Sequence, residues 1–229
     1  MNKLAARMAR MNRVQNRTEA LLYLQKHNLV AAHAFLSISN LDGNKALYHN
    51  NDHCLTVTKW CGRLLSMIPN WTLTSPRGML LGAIFHDIHH SGGAKQDVEN
   101  VAIAVQAMVD FTSVHNRTFS GAETWVAKQC IECTVFPFTV EPETFEQKII
   151  RDADVLQYID IDFENILGEN LRREIEVSKE HMISRKEFAA GTLEFLETLQ
   201  MYTEPGQVLW AAAKPVLVER FTQIAEGVK

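Results

Sequence analysis

Apolar residues recur along this chain at three- and four-residue spacings, the repeat of a helix with one buried face. No stretch alternates apolar and polar positions long enough to predict a strand. The segment "RTEALLYLQKHNLVAAHAFLSI" puts Leu21, Leu22 and Leu24 on a stripe behind a cap at Thr18. A second helix is predicted from Asn50 or Asn51 through "HCLTVTKWCGRLLSMI" to Pro69. A third opens at Ser75-Pro76, where proline suits the first helical position, and runs through "RGMLLGAIFHDIHH" to Gly92-Gly93. "DVENVAIAVQAMVDF" and "GAETWVAKQCIECTVF" predict the fourth and fifth helices, with Pro137 stopping the latter. The sixth opens at Glu141-Pro142 and carries "ETFEQKIIRDADVLQYI". Beyond Gly168 come "ENLRREIEVSKEHM", "KEFAAGTLEFLETLQMY" and "PGQVLWAAAKPVLVERFTQIAEG", the last kinked or divided at Pro215. The pattern predicts an all-α protein, a single domain over residues 1–229.

Composition narrows the class. With 46% hydrophobic and 22% charged residues, the chain fits a folded globule and not a disordered or fibrous protein. Its 23 Lys+Arg against 27 Asp+Glu give a net charge of −4, which argues against stable nucleic-acid binding. The exception is "MNKLAARMARMNRVQNR", where Lys3, Arg7, Arg10, Arg13 and Arg17 precede the first acid, Glu19. That segment reads as the solvated face of a first helix, with a transit peptide or a phosphate-binding arm as alternatives. No apolar run approaches the roughly 18 residues that span a bilayer, so no membrane partner is expected and the expected location is cytoplasmic. Cys54, Cys61, Cys130 and Cys133 sit in apolar surroundings and are expected to be buried free thiols, although Cys130 and Cys133 form a C-x-x-C pair.

Three places concentrate chemistry. In "YHNNDH" (48–53), His49 and His53 are four apart and share a face if one helix holds both. In "FHDIHHSGG" (85–93), an apolar run drives His86 and Asp87 inward, and His90 follows His86 by four. In "RDADVL" (151–156), Asp152 and Asp154 are both available. Two neutral imidazoles with two carboxylates suit a divalent cation and leave positions open for water or substrate. A metal also supplies the positive charge that makes a buried Asp beside His tolerable. His27, His33, His115 and His181 are read as hydrogen-bonded core residues. Glu132 and Thr134 are placed either beside the metal or, equally, as a solvated acid and a helix-end hydroxyl. Lys59, Arg63 and Lys95 are candidate phosphate contacts, with plain surface roles as the default, and His89 has no assigned role.

The order H…HD…D on helices, with the apolar run before the HD pair, resembles the HD superfamily of metal-dependent phosphohydrolases. "YHNNDH" and "HDIHHSGGAKQDVEN" are further similar to the Y-H-N-x-x-H and H-D-x-x-H-x-G segments of class I cyclic nucleotide phosphodiesterases, with Gln96 and Asn100 at matching offsets. The resemblance implies an HD-domain helical bundle with a metal site in its core at about 48–160, on which helices of 161–229 pack. It implies His53, His86, Asp87 and Asp154 as ligands of one or two divalent ions (Mn, Fe, Zn, Co or Mg), with Asp152 the alternative to Asp154. His49, Asp87 and His90 are the implied catalytic residues: a metal-activated water attacks phosphorus, His49 protonates the leaving oxygen, and His90 lies beside the water. The implied partner is a small phosphoester such as a nucleotide, possible base contacts being Gln157, Gln200 or Gln207. A nucleotidase or nucleoside triphosphohydrolase uses the same ligands. An HD-type di-iron oxygenase would recruit further histidines from among His89, His90 and His115. No motif speaks to oligomeric state.

Overall fold

The computed structural model describes residues 3–39, 46–68, 73–160 and 168–227, with side chains from residue 10 onward. Ten α-helices and no strand occur among the described residues, so the protein is all-α. No described helix is long and apolar enough to cross a membrane.

The first predicted stripe is split and rephased. Helix α1 (Lys3–Lys26) runs straight through Thr18, whose Oγ1 donates to Val14 O at 2.8 Å from inside the helix instead of capping it. Leu24 is buried but Leu22 is 61% exposed, because the buried face follows Asn16, Ala20 and Leu24. The chain breaks at Asn28, whose φ of 57° cannot continue a right-handed helix, and α2 (Val30–Ser39) begins two residues later. Arg10 and Arg17 are exposed on α1, and the Lys3 and Arg7 side chains lie outside the described residues.

Helix α3 (Asn51–Met67) starts where the sequence predicts, with the Asn50 side chain accepting from Asp52 N and His53 N. Its predicted end at Pro69 lies outside the described residues. Helix α4 (Pro76–Phe85) opens on Ser75, whose hydroxyl accepts from Gly78 N at 2.9 Å. It does not reach Gly92-Gly93. The helix stops at Phe85, His86 closes it, and the HD pair sits in the turn beyond, where His89 adopts a φ of 61°.

Helix α5 (Asp97–Val114) and helix α6 (Gly121–Glu132) follow, the latter framed by a Ser120–Glu123 capping box. Helix α6 ends four residues short of Phe136, its predicted last residue. Helix α7 (Phe145–Leu156) is capped by Thr144, later than the predicted Glu141-Pro142, and leads into a single 3₁₀ turn, Gln157–Ile159. Then come α8 (Gly168–Lys179), α9 (Arg185–Thr198), which stops before the predicted Tyr202, and α10 (Glu204–Glu226). Helix α10 is neither divided nor ended at Pro215. That proline is exposed, so the Ala211 carbonyl it deprives of a donor can bond to water.

Helix α3 is central, packed by α1, α4 and α7. Helices α4 and α6 approach closely because α4 presents Gly78 and Gly82, where a Cβ would lie 2.8 Å from Glu123 O and from Cys130 Cβ respectively. One apolar cluster draws on α1 to α7. A second gathers Ala189, Leu196, Trp210, Leu217 and Phe221 of α9 and α10 around Tyr48 and Val155. Helix α7 buries Ile149, Ile150 and Ala153 in the first cluster and Val155 in the second. All four cysteines are buried and free, as expected. Burial pushes the Cys133 thiol up to about 12, so it stays protonated.

Candidate metal centre

The start of α3, the turn after α4 and the end of α7 converge. His53 Nε2 lies 2.9 Å from His86 Nε2, 2.8 Å from Asp87 Oδ2 and 3.4 Å from Asp154 Oδ1. His86 Nε2 lies 3.2 Å from Asp87 Oδ2 and 3.8 Å from Asp154 Oδ1. All four residues that the resemblance nominates as ligands therefore meet. Asp152 does not. Its carboxylate accepts from Tyr202 N and Thr203 N, both at 2.8 Å, and from Thr203 Oγ1 at 2.7 Å, holding the start of α10.

The outer ring nitrogens explain why two imidazoles face each other so closely. His86 Nδ1 donates to Ala83 O at 2.8 Å. His53 Nδ1 donates to Gln157 Oε1 at 2.9 Å, and Gln157 is oriented by its own amide, which donates to Asp154 O at 3.0 Å. Each ring thus holds its proton outward and turns a bare Nε2 inward. Two lone pairs 2.9 Å apart need a positive charge between them. Without metal a proton serves: burial alone would lower the His86 imidazolium, yet Asp87 and Asp154 outweigh it and raise its pKa to about 9. Burial would raise the Asp87 carboxyl, but His86 and His49 hold it well below the ordinary value. This donor set fits a divalent ion, which would take the proton's place.

A second group sits beside the first. His49, His90 and Glu174 also bring ligand-capable atoms within 4.8 Å of one another. His49 precedes α3, so the helical repeat does not set its place, but its ring still meets His53 edge-on, centroids 5.4 Å apart, and lies against His90 at 4.0 Å. Its Nδ1 is 2.5 Å from Glu174 Oε2, while Glu174 Oε1 accepts from Tyr48 N at 2.6 Å. Burial lowers the His49 pKa, but Asp87 and Glu174 more than reverse this and raise it to about 9. His90 is not on a helix with His86, because α4 has ended. Its Nδ1 accepts from Gly92 N at 3.1 Å, and its Nε2 lies 3.0 Å from the Asn100 amide and 3.6 Å from Asp97 Oδ1.

The fold disperses the other candidates. Lys59 is buried, with Nζ 3.0 Å from Asn16 Oδ1 and from both Asp160 oxygens, and Arg63 forks onto Glu19 at 2.6 Å, so neither is available to a phosphate. Lys95 and His89 are exposed. Glu132 pairs with Lys128 at 3.5 Å on the outside of α6, and Thr134 Oγ1 donates to Ile131 O, so both take the bland reading. Of the four histidines read as core, His27, His33 and His115 are half-buried and His181 is exposed. His115 packs on Phe111, with ring centroids 4.6 Å apart. Gln200 is exposed and Gln207 donates to Met201 O.

Sequence reasoning missed Glu174 and misjudged Gln157. Glu174 did carry a signal: it sits between Leu171 and Ile175, an acid on the inward stripe of α8. From sequence, Gln157 offers itself only as a base contact. The chain matches no protein-family model, no curated protein and no solved structure in the comparisons made.

Proposed function

We propose that the protein is an HD-type metal-dependent phosphohydrolase acting on a small phosphoester such as a nucleotide, including a cyclic one. The observation that carries this reading is the inward pair of bare imidazole nitrogens flanked by Asp87 and Asp154. His53, His86, Asp87 and Asp154 would hold the ion. When bound, a divalent ion supplies Lewis acidity toward phosphoryl oxygens and makes a water nucleophile available near neutral pH.

The chain's own residues do the rest. Glu174 holds the imidazole of His49 through Nδ1, leaving Nε2 to give a proton to the departing oxygen. Against burial, Asp87 and Glu174 raise the His49 pKa to about 9 in the metal-free chain; with an ion on Asp87, Glu174 is the partner that would keep a proton on His49. At 24% side-chain exposure it is still reachable from outside. A nucleoside triphosphohydrolase has less support, because Lys59 and Arg63 are committed to other partners. The di-iron oxygenase needs further histidine ligands; His115 packs on Phe111 and His89 is exposed, which leaves His90, beside His49 and Glu174, as its one support.

The test pairs metal analysis of the purified protein with a hydrolysis panel of cyclic, mono-, di- and triphosphate nucleotides. The expected result is stoichiometric divalent metal and metal-dependent release from at least one of them. A metal-loaded protein inert toward the whole panel overturns the hydrolase reading.

A further inference from the structure

The strongest unassigned feature is a cavity of about 560 Å³ between α7, α9 and the loop at 136–141. Its walls include the rings of Phe138 and Phe195, and its rim carries Glu141 and Glu194. Gly191 of α9 also lines it, and a Cβ added there would meet nothing within 4 Å.

Arg151 makes this cavity more than an apolar dent. The residue is only 2% exposed, yet no carboxylate pairs with it among the described residues. Its Nε donates to Cys133 O at 2.8 Å and its Nη2 to Val140 O at 2.6 Å. One guanidinium face stacks on Phe138, 3.8 Å from the ring centroid. A guanidinium offers five N–H groups; the two carbonyls take one each and the Cys133 thiol side chain hydrogen-bonds a third, so the remaining donors are free to face a ligand in the cavity. A buried cation with spare donors, lining a cavity with aromatic walls, is a receptor for an anion attached to a ring.

We propose that this cavity is a binding site for a small aromatic anion, a carboxylate or a phosphate monoester, whose anionic end meets the Arg151 guanidinium and whose ring lies against Phe138 and Phe195. Glu141 and Glu194 limit the charge: they would repel a polyphosphate. Arg151 precedes Asp154 by three residues on α7, so the site and the metal centre share one helix, but the proposal does not depend on the hydrolase reading.

The test is calorimetric titration of the full chain with benzoate, phenyl phosphate and uncharged benzamide. Both anions should bind saturably and benzamide about tenfold more weakly or worse, the size of one lost charge-assisted hydrogen bond. The tighter of the two anions identifies the preferred head group. Gly191→Leu should fill the cavity and remove this binding without lowering the unfolding temperature, and Arg151→Met should erase the preference for the anions. If Arg151→Met does not fold, Gly191→Leu carries the test alone. Absence of saturable binding, equal binding of benzamide, or binding unchanged in Gly191→Leu overturns the proposal; the last would place the anion at the metal centre instead.

Discussion

Two histidine–acid groups lie side by side in this protein and are built to opposite ends. In the first, the outer nitrogens of His53 and His86 donate to neutral oxygens, Gln157 Oε1 and Ala83 O, so the rings turn lone pairs inward. In the second, His49 has its nitrogen against a carboxylate, Glu174, which favours the charged ring. The neutral acceptors fix only where the outer proton sits and leave the charge on His86 to Asp87 and Asp154, whereas the partner behind His49 itself favours the charged ring. The difference lies in what stands behind each ring, not in the rings themselves.

The contrast can be broken most severely at Asp87, which touches both inward nitrogens. Asp87→Ala should leave the purified protein without metal and reduce turnover to background, both read in one preparation. His49→Ala should separate the two groups: metal content stays the same while kcat falls about 10²–10⁴-fold, the usual worth of a positioned proton donor. Loss of metal in that variant would show that the second group also holds an ion. Gln157→Leu should weaken metal affinity about 10–100-fold, as removal of a ligand's orienting partner commonly does, with unfolding temperature measured alongside.

The smallest effect sharpens the contrast through pH. In metal-free protein the His49 and His86 pKa values stand at about 9, above the ordinary 6.5. Their protonated forms therefore stabilise the fold fully below pH 6.5, and that contribution disappears as pH rises through 9. Metal must displace protons, so its affinity should climb over the same window. Glu174→Gln should lower the His49 value toward 6.5 while His86 stays near 9, followed by imidazole resonances in a pH titration. Movement of both together would mean that the groups are one coupled unit.

Local rules read well where one segment carried the whole instruction. Asn50 before α3 and Ser75-Pro76 before α4 cap their helices as their chemistry predicts. The four nominated ligands meet, Asp154 included, since the motif spacings already encode which residues turn inward. Failures came where distant packing decides. Nothing near His90 in sequence announces that α4 ends at Phe85, because the left-handed His89 is fixed by the turn that sends His90 toward His49. Lys59, by default a surface lysine, is buried because Asp160, 101 residues away, holds its ammonium. Glu174 reaches Tyr48 across 126 residues, a pairing that no window of sequence contains. Leu22 misled because helical periodicity gives a stripe but not which stripe the body will cover.

Gly93 is where this long-range pairing is most exposed to change. Its φ is 92°, and a Cβ there would stand 2.2 Å from Glu174 O and 3.2 Å from Ser178 N, so α8 rests directly on the bare backbone of the loop that follows the HD pair. Any side chain at 93 must push α8 outward and carry the Glu174 carboxylate with it. His53 and Asp154, on α3 and α7, lie on other elements. The His49–Glu174 contact would therefore loosen first, and the pKa of His49 with it. One glycine in the loop after the HD pair thus sets, from across the molecule, how firmly α8 grips the His49 ring.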